Sequence, residues 1–415
     1  MARIAARFAR VEPRRRARAF LLGLLAGLPR TNCWTVAEHA GDASPDGMQH
    51  LLAGAVWDAE AVRDDLRGYV IEHLGDPDAV LVIDETGDVK KGTATVGVQR
   101  QYTGTAGRVE NAQVGVYLAY ASQAGYAFID RALYLPKSWT GDPARCAAAG
   151  VPDDVVFATK PAQATQMIAR ALDAGTPAGW VAGDEVYGAD PRLRAELVRR
   201  RVGYVLAVAK DHSISTGIGT RRADELAGRL PKRAWQRLSA GRGAKGERFY
   251  DWALVDTVDA ASDADRTGCH WLLLRRNRRT GELAFYRAYS PTPVPLTALV
   301  RVAGTRWQIE EAFQSSKELA ALDQHQVRRW DSWHRWTILA MLAHAFLSVM
   351  TATQPPPDPG SGLIGLTRNE IRRLFTAAVT PLQKARHLLH WSTWRRRHQA
   401  RAHVSHYRRQ NLAIT

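Results

Sequence analysis

Three charged residues near position 310 have the spacing that places them on one stripe of a helix. Arg306, Glu310 and Lys317 lie in TRWQIEEAFQSSK, part of a segment without proline or glycine for which we predict a helix over 305–329. At about 100° per residue, Glu310 lies about 40° from Arg306 around the helix, whereas Glu311 lies about 140° away. A carboxylate between two cations can hold a metal ion while the cations hold phosphate oxygens. The same spacing also gives the charge pairs of an ordinary surface helix.

Two further acids each follow a short apolar run. Asp84 ends VLVID, and Asp184 follows WVAG. Such runs are typical of buried central strands, and an acid at the end of one emerges where α/β proteins build their sites. The adjacent Glu85 and Glu185 are expected to face away, because side chains alternate along a strand.

The three acids, Asp84, Asp184 and Glu310, predict a metal site. Three carboxylates that converge in a fold repel one another strongly. Two divalent cations relieve that repulsion and assist both the attacking and the leaving oxygen. Oxygen ligands with no histidine or cysteine beside them in the sequence favour Mg²⁺ or Mn²⁺.

The elements that must position these acids form a mixed α/β pattern. We predict strands at 80–84, 113–120 and 126–135, then helix 162–174, strand 180–183, helix 191–201 and strand 203–208. This order indicates an antiparallel meander followed by crossover units in one mixed sheet. The segment 211–295 is again strand-like, with strands at 271–276 and 283–289.

The charge balance favours a polyanionic partner. The 415 residues contain 57 Lys and Arg against 41 Asp and Glu, a net charge of +16. Nucleic acid is the first candidate and an anionic membrane the second, since no apolar stretch is expected to approach the roughly 20 residues of a membrane span. Cys33, Cys146 and Cys269 form no CxxC pair, which argues against a disulfide framework or structural zinc and favours a reducing cytoplasm.

The chain resembles the DDE transposases of bacterial insertion sequences in three segments: VLVIDETG, GWVAGDEVYG and RWQIEEAFQSSK. The resemblance covers roughly 78–330 and implies a ribonuclease-H-like catalytic core. Members with a β-rich insertion before the glutamate carry a Tyr-x₂-Arg-x₃-Glu-x₆-Lys signature. This chain matches it at Arg306, Glu310 and Lys317, which implies phosphate contacts for both cations. Ala303 stands in the tyrosine position, so the resemblance does not carry over the DNA contact of that tyrosine.

Two other groups of residues are candidate DNA contacts. Trp271 would stack on an unpaired base, although a tryptophan on a strand is more often a core residue. Arg395, Arg396 and Arg397 lie in the segment 363–415, which has eleven Lys and Arg against one Glu. That segment either binds phosphates or is a solvated helix packed on the protein by its tryptophans.

These observations predict a domain order and a function. We expect a helical DNA-binding region at 1–75, whose patterns at 34–38 and 45–56 have helix-turn-helix spacing. We expect a ribonuclease-H-like core at 76–210 and 297–352, interrupted by a β-rich insertion at 211–296. A proline-glycine linker at 354–362 then leads to a basic helical region at 363–415.

The expected activity is cut-and-paste DNA transposition, by a homodimer bound to terminal inverted repeats and target DNA in a bacterial cytoplasm, associated with the nucleoid. The alternatives are a domesticated DNA-binding regulator that no longer cuts and a ribonuclease-H-like nuclease without strand transfer.

Overall fold

The computed structural model describes residues 1–243, 246–258, 268–358, 363–379 and 385–412. The end of the predicted linker, 359–362, lies outside the described residues. Contacts within the chain define two compact units, one of Arg63–Ser315 and one of Met1–Val62 with Ser316–Thr415. The domain boundaries expected from the sequence stay a prediction.

The strands belong to the unit Arg63–Ser315. They are β1 (Val80–Val89), β2 (Gln99–Thr103), β3 (Arg108–Ala121), β4 (Tyr126–Leu133), β5 (Trp180–Gly183), β6 (Gly203–Val208), β7 (Ser213–Thr216), β8 (Gly219–Arg222), β9 (Gln236–Gly243), β10 (Gly246–Asp256), β11 (Cys269–Arg276) and β12 (Leu283–Ser290). Apart from the β7–β8 hairpin, the described strands join one sheet.

The first part of this sheet is a ribonuclease-H-like core. Its strand order is β4-β3-β1-β5-β6, with β3 antiparallel to both neighbours and β1, β5 and β6 parallel. The apolar run Val80–Ile83 is fully buried in the centre, as expected for a strand covered on both faces. The mixed α/β fold class expected from the sequence is confirmed.

The β-rich segment extends the same sheet. β12 pairs antiparallel with β6, and β11, β10 and β9 follow in antiparallel order. Its own apolar cluster includes Val208, Ile214, Leu272, Leu274 and Phe285. The β-rich segment is therefore joined by backbone hydrogen bonds to β6, the last strand of that core.

The helices are α1 (Val11–Leu25), α2 (Cys33–Ala40), α3 (Asp46–Ala53), α4 (Ala59–Leu74), α5 (Lys137–Thr140), α6 (Pro143–Ala149), α7 (Lys160–Asp173), α8 (Glu185–Gly188), α9 (Pro191–Arg199), α10 (Ala223–Gly228), α11 (Leu296–Thr305), α12 (Trp307–Ala320), α13 (Trp330–Ala352), α14 (Arg368–Val379) and α15 (Ala385–Leu412). Within the unit Arg63–Ser315, α11 packs closely on β9. A Cβ on Gly304 would lie 2.1 Å from the carbonyl oxygen of Ala240, so this approach requires glycine.

The helix expected over 305–329 is shorter than predicted. A turn residue, Arg306, separates α11 from α12, and α12 ends at Ala320. Ala321 then adopts a φ of 56°, a left-handed conformation that does not continue a right-handed helix. The absence of proline and glycine was therefore not sufficient to predict where the helix ends.

In the helical unit, α1, α2, α3, α13 and α14 pack on one another. Asn32 begins α2 with a capping box, and Gly41 ends it with a φ of 84°. Contrary to the expectation of no membrane-length stretch, α13 is long and apolar enough to span a membrane by length and composition. Within the described chain, 72% of its apolar window is buried inside the structure.

Candidate active site

The register between two parallel strands brings Asp84 and Asp184 together. β1 and β5 pair from Val80 with Trp180 to Ile83 with Gly183, and each aspartate is the next residue. Hydrogen bonds fix both carboxylates: Oδ1 of Asp84 accepts from the backbone N–H of Glu85 at 2.8 Å, and Oδ1 of Asp184 accepts from that of Val186 at 2.9 Å. The two acids predicted from separate apolar runs are thus neighbours at one end of the sheet.

Arg306 connects this pair to the third acid. Its Nη1 lies 3.3 Å from Oδ2 of Asp84, and its Nη2 lies 3.5 Å from Oε1 of Glu310. Arg306 has helical backbone angles, φ −52° and ψ −34°, so Glu310 follows one helical turn later. The adjacent Glu311 accepts a hydrogen bond from the hydroxyl of Tyr126 at 3.2 Å. One guanidinium therefore contacts two of the three predicted acids.

Several carboxyl groups lie close together at this end of the sheet, and their negative charges repel one another. Burial raises the pKa of Asp84 to about 7, Asp184 adds to the rise, and Arg306 opposes it. Burial also raises the pKa of Asp184, with a further contribution from Glu85. Burial lowers the pKa of Arg306, but Asp84, Glu310 and Asp184 together raise it above its usual range. The carboxylates are therefore costly to ionise unless a cation is close.

The chemistry of this donor set fits a divalent cation. Two half-buried aspartates and one glutamate offer hard oxygen ligands, as Mg²⁺ and Mn²⁺ prefer. Among the described residues, no three His, Cys, Asp or Glu side chains already lie at metal-binding separations. A shared metal would require the Arg306 guanidinium to yield its contacts with Asp84 and Glu310.

Lys317, the last member of the predicted motif, lies on α12. It belongs to the compact unit that contains Ser316–Thr415, whereas the acids belong to the other unit. Its phosphate contact stays a prediction.

A second polar cluster, which the sequence reasoning missed, lies beside the aspartates. Glu85 accepts a 2.5 Å hydrogen bond from the hydroxyl of Tyr187 and forms a 2.6 Å ion pair with Lys160. Tyr187 is fully buried on α8, the helix that Asp184 caps. Burial, then the charge of Glu85, raises the pKa of Tyr187 well above its usual range. The sequence DEVY contained a signal for this cluster, because its spacing places Tyr187 one helical turn after Asp184.

A cavity of about 420 Å³ opens beside the acids. Its charged lining includes Asp184, Glu185, Glu310, Arg306, Arg248 and Arg275, and its aromatic lining includes Tyr250, Trp252, Tyr286 and Trp307. Glu185, which was expected to face away, therefore lines the same cavity as Asp184. The buried Nε1 of Trp252 and Nε of Arg275 have no hydrogen-bond partner among the described residues. Ala303, which occupies the tyrosine position of the signature, also lines this cavity.

Trp271 does not line this cavity. Trp271 is 8% exposed and lies opposite Ala288 on β12. Tyr286, two residues before Ala288 on β12, lies opposite Ala207 on the core strand β6. The base-stacking role expected for Trp271 is therefore not supported, because its ring is packed in the sheet. The tryptophan of the insertion that does line the cavity is Trp252.

The arginines of the basic segment differ in their surroundings. Within the helical unit, Trp391 is buried and donates a hydrogen bond from Nε1 to the carbonyl oxygen of Asp42. Arg395 pairs with Glu38, while Arg396 and Arg397 are exposed. Part of α15 is thus packed by its tryptophans, and the DNA contact of the arginines stays a prediction.

A ribonuclease-H-like sheet that brings two aspartates together, with a third acid on a following helix, defines the DDE class of proteins. The chain belongs to the DDE superfamily endonuclease family, whose model matches residues 3–250, more than half of the chain. The matched region includes Asp84 and Asp184 and ends before Glu310. Membership implies a general dependence on divalent metal ions.

Among curated proteins, the chain is similar to a probable transposase for insertion sequence element IS701 from Microchaete diplosiphon. The two are 28% identical over 197 residues, which is 46% of this chain and 48% of that protein. The chain therefore spans about half the length of the curated relative that it matches.

Two solved structures show a limited likeness at 10% identity. One is the piggyBac transposase synaptic complex with hairpin DNA, with a TM-score of 0.42, covering 89% of this chain and 71% of that one. The other is the NurA nuclease from Sulfolobus solfataricus, with a TM-score of 0.29, covering 62% of this chain and 86% of that one. Both scores are below 0.5, so the fold assignment rests on the strand order described above.

Proposed function

We propose that this protein is a DNA transposase that cuts DNA at the ends of an insertion sequence and transfers those ends to a target. The supporting observation is the placement of Asp84 beside Asp184 by strand register, with Glu310 joined to Asp84 through Arg306. Family membership and the IS701 relative agree with this reaction.

Each acid has a defined role in the proposal. Asp84, Asp184 and Glu310 would hold two Mg²⁺ or Mn²⁺ ions, which supply activation of the attacking oxygen and stabilisation of the leaving oxygen when bound. The hydrogen bonds that Asp84 and Asp184 accept from backbone N–H groups would fix the orientation of the oxygens proposed as ligands.

The proposed substrate is double-stranded DNA. Terminal inverted repeats and target DNA are the partners, and a homodimer would hold the two ends. The net charge of +16 suits a polyanion and predicts binding that weakens with salt. Arg306 and Lys317 are proposed to contact phosphates near the bond that is cut, since guanidinium and ammonium groups both pair with phosphate oxygens.

The test is an excision and transfer assay. A DNA fragment that carries the gene with its natural flanking sequence is incubated with purified protein and Mg²⁺ or Mn²⁺. The wild type should release the fragment ends and join them to a target plasmid, while Asp184→Ala should abolish both steps. The matched control is Asp153→Ala, which removes an exposed acid of the same unit and should leave activity unchanged.

The products separate the proposed function from its alternatives. Cleavage without joining would indicate a nuclease that lacks strand transfer. DNA binding without any metal-dependent cleavage would indicate a regulator. Full activity of Asp184→Ala would exclude the assigned metal site.

A further inference from the structure

We infer that Lys160, Glu85 and Tyr187 position the two aspartates for a shared metal ion. We call these three residues the Glu85 cluster. This inference rests on the proposed function, because it concerns how the metal site of that function is held in shape. The cluster joins three elements, since Glu85 lies on β1, Lys160 begins α7 and Tyr187 lies on α8.

Both carboxylate oxygens of Glu85 have a partner in the cluster. Oε1 lies 2.6 Å from Nζ of Lys160, and Oε2 accepts a 2.5 Å hydrogen bond from the hydroxyl of Tyr187. The side chain of Glu85 is 19% exposed and that of Lys160 is 22% exposed, so most of the ion pair is shielded from solvent. Because each oxygen is already engaged, Glu85 acts through its neighbours and is not itself a metal ligand.

The cluster includes or adjoins the backbone groups that hold the aspartates. Oδ1 of Asp84 accepts a hydrogen bond from the backbone N–H of Glu85 itself. Oδ1 of Asp184 accepts one from the backbone N–H of Val186, the residue before Tyr187. The hydrogen bond from Tyr187 to Glu85 therefore connects the two backbone segments that orient the carboxylates. Partners of this kind set the orientation of metal ligands.

The position of α8 depends on such a connection, because the helix is short. It has four residues, Glu185–Gly188, which are too few for a helix that is stable through its own hydrogen bonds. The ring of Tyr187 is fully buried. Burial, followed by the charge of Glu85, raises the pKa of Tyr187 well above its usual range, so the hydroxyl keeps its proton and remains a donor.

A comparable buried tyrosine lies at the opposite end of the same two strands. Tyr120 is fully buried, and its hydroxyl lies 2.9 Å from the carbonyl oxygen of Pro177 and accepts from the backbone N–H of Asp76 at 2.8 Å. Pro177 precedes β5 and Asp76 precedes β1. Tyr120 therefore joins the starts of these strands, whereas the aspartates follow their other ends. Comparing the two tyrosines separates general stability from the shape of the metal site.

The test measures Mn²⁺ binding without DNA, so that no reaction contributes to the signal. Mn²⁺ is titrated into the purified full-length protein, and electron paramagnetic resonance reports the free ion. Tyr187→Phe changes no charge and should raise the Kd for Mn²⁺ by roughly 10-fold, as expected when a group that orients metal ligands is lost. Tyr120→Phe is the matched control and should leave the Kd unchanged. Asp184→Ala should abolish the binding and so identify the signal of this site.

A double-mutant cycle tests whether the hydroxyl acts through Glu85. Glu85→Ala should weaken Mn²⁺ binding, and Tyr187→Phe should then have no further effect. A full effect of Tyr187→Phe in the Glu85→Ala background would overturn the inference. If circular dichroism shows that Glu85→Ala does not fold, the comparison of Tyr187→Phe with Tyr120→Phe decides by itself.

The sign of the effect at Lys160 separates positioning from simple electrostatics. Removal of a positive charge near the site would by itself tighten the binding of a cation. Lys160→Met should instead weaken Mn²⁺ binding, because Glu85 loses the partner that holds it, and Lys160→Arg should stay close to the wild type. Tighter binding by Lys160→Met would contradict the role of Lys160 in the cluster.

Two further results would overturn the inference and leave the metal site in place. One is an equal Kd for Tyr187→Phe and the wild type; the other is an equal loss in Tyr187→Phe and Tyr120→Phe. Absence of Mn²⁺ binding by the wild type would instead reject the metal site of the proposed function, and the inference with it. A selective loss in Tyr187→Phe, with a wild type that neither cuts nor joins DNA, would support the cluster and reject the transposase.

Discussion

Nη1 of Arg306 lies 3.3 Å from Oδ2 of Asp84, a residue 222 positions earlier in the sequence. The same guanidinium reaches Glu310, so one cation compensates charge on two acids. Because burial and mutual repulsion raise the pKa values of Asp84 and Asp184, this compensation matters most when no metal ion is bound. Arg306 and a divalent cation should therefore substitute for each other in stabilising the site.

Replacing Arg306 tests this substitution. Arg306→Gln should lower the melting temperature in EDTA, because Asp84 and Asp184 lose a compensating charge. Addition of Mg²⁺ should raise the melting temperature of the variant more than that of the wild type, since a ligand stabilises the state that binds it. Asp184→Asn serves as the control and should show little response to Mg²⁺. An equal Mg²⁺ response in the wild type and Arg306→Gln would contradict this account.

The two adjacent glutamates of α12 should differ in their effects. Glu310→Gln is expected to reduce DNA cleavage by orders of magnitude, because it removes a proposed metal ligand. Glu311→Gln should lose far less, since Glu311 accepts from Tyr126 whereas Arg306 pairs with Glu310. Cleavage rates of the two variants at saturating Mg²⁺ provide the measurement. If Glu311→Gln were the more damaged variant, the assignment of the third acid would have to be exchanged.

The sequence was sufficient to predict the part of the site formed by Asp84 and Asp184, because that part depends on local patterns. Strands β5 and β6 begin and end where their apolar runs predict, and the register of β1 with β5 then places Asp84 beside Asp184. Runs of buried β-branched residues carry that information because both faces of a central strand are covered.

Other parts of the site depend on partners distant in sequence. β1 continues to Val89 through polar residues because it pairs along its whole length with β3. Trp252, rather than Trp271, lines the cavity because the registers of β10, β11 and β12 decide which positions reach it. The sequence of one β-strand does not specify its register with its neighbours, so local patterns alone do not identify the residues that line the cavity.

The Tyr187 hydroxyl should contribute to stability through Glu85. Tyr187→Phe removes a buried hydrogen bond to a carboxylate, which typically costs about 1.5 to 3 kcal/mol. Urea unfolding monitored by circular dichroism measures the loss. Tyr102→Phe is the matched control, because Tyr102 is 62% exposed and lies on the edge strand β2, and its hydroxyl should contribute little. Equal stabilities of the two variants would show that the Tyr187–Glu85 hydrogen bond adds nothing net.

A buried histidine of the helical unit predicts acid sensitivity. Burial, followed by the charge of Arg368, lowers the pKa of His344 from 6.5 to about 3. Below pH 6.5 the unfolded chain binds a proton that the folded chain does not, so this residue lowers stability progressively as pH falls from 6.5 towards 3. His344→Gln should reduce the pH dependence of urea unfolding in that window. The same slope in His344→Gln and the wild type would assign the acid sensitivity to other groups.

The exposed arginines of α15 should contribute to DNA binding through charge alone. Arg396 and Arg397 are exposed, whereas Arg395 is paired with Glu38 within the helical unit. If both exposed arginines contact duplex phosphates, Arg396→Gln with Arg397→Gln should flatten log K against log salt by about 1.8, because each contact contributes about 0.9. All duplex sequences should weaken alike, since phosphate contacts do not read bases. Arg395→Gln should leave the slope nearly unchanged, because its charge is already compensated. The fluorescence of Trp391 should show that it is still buried in the double variant. If the salt slope is then unchanged, α15 serves packing and its charge does not contact DNA.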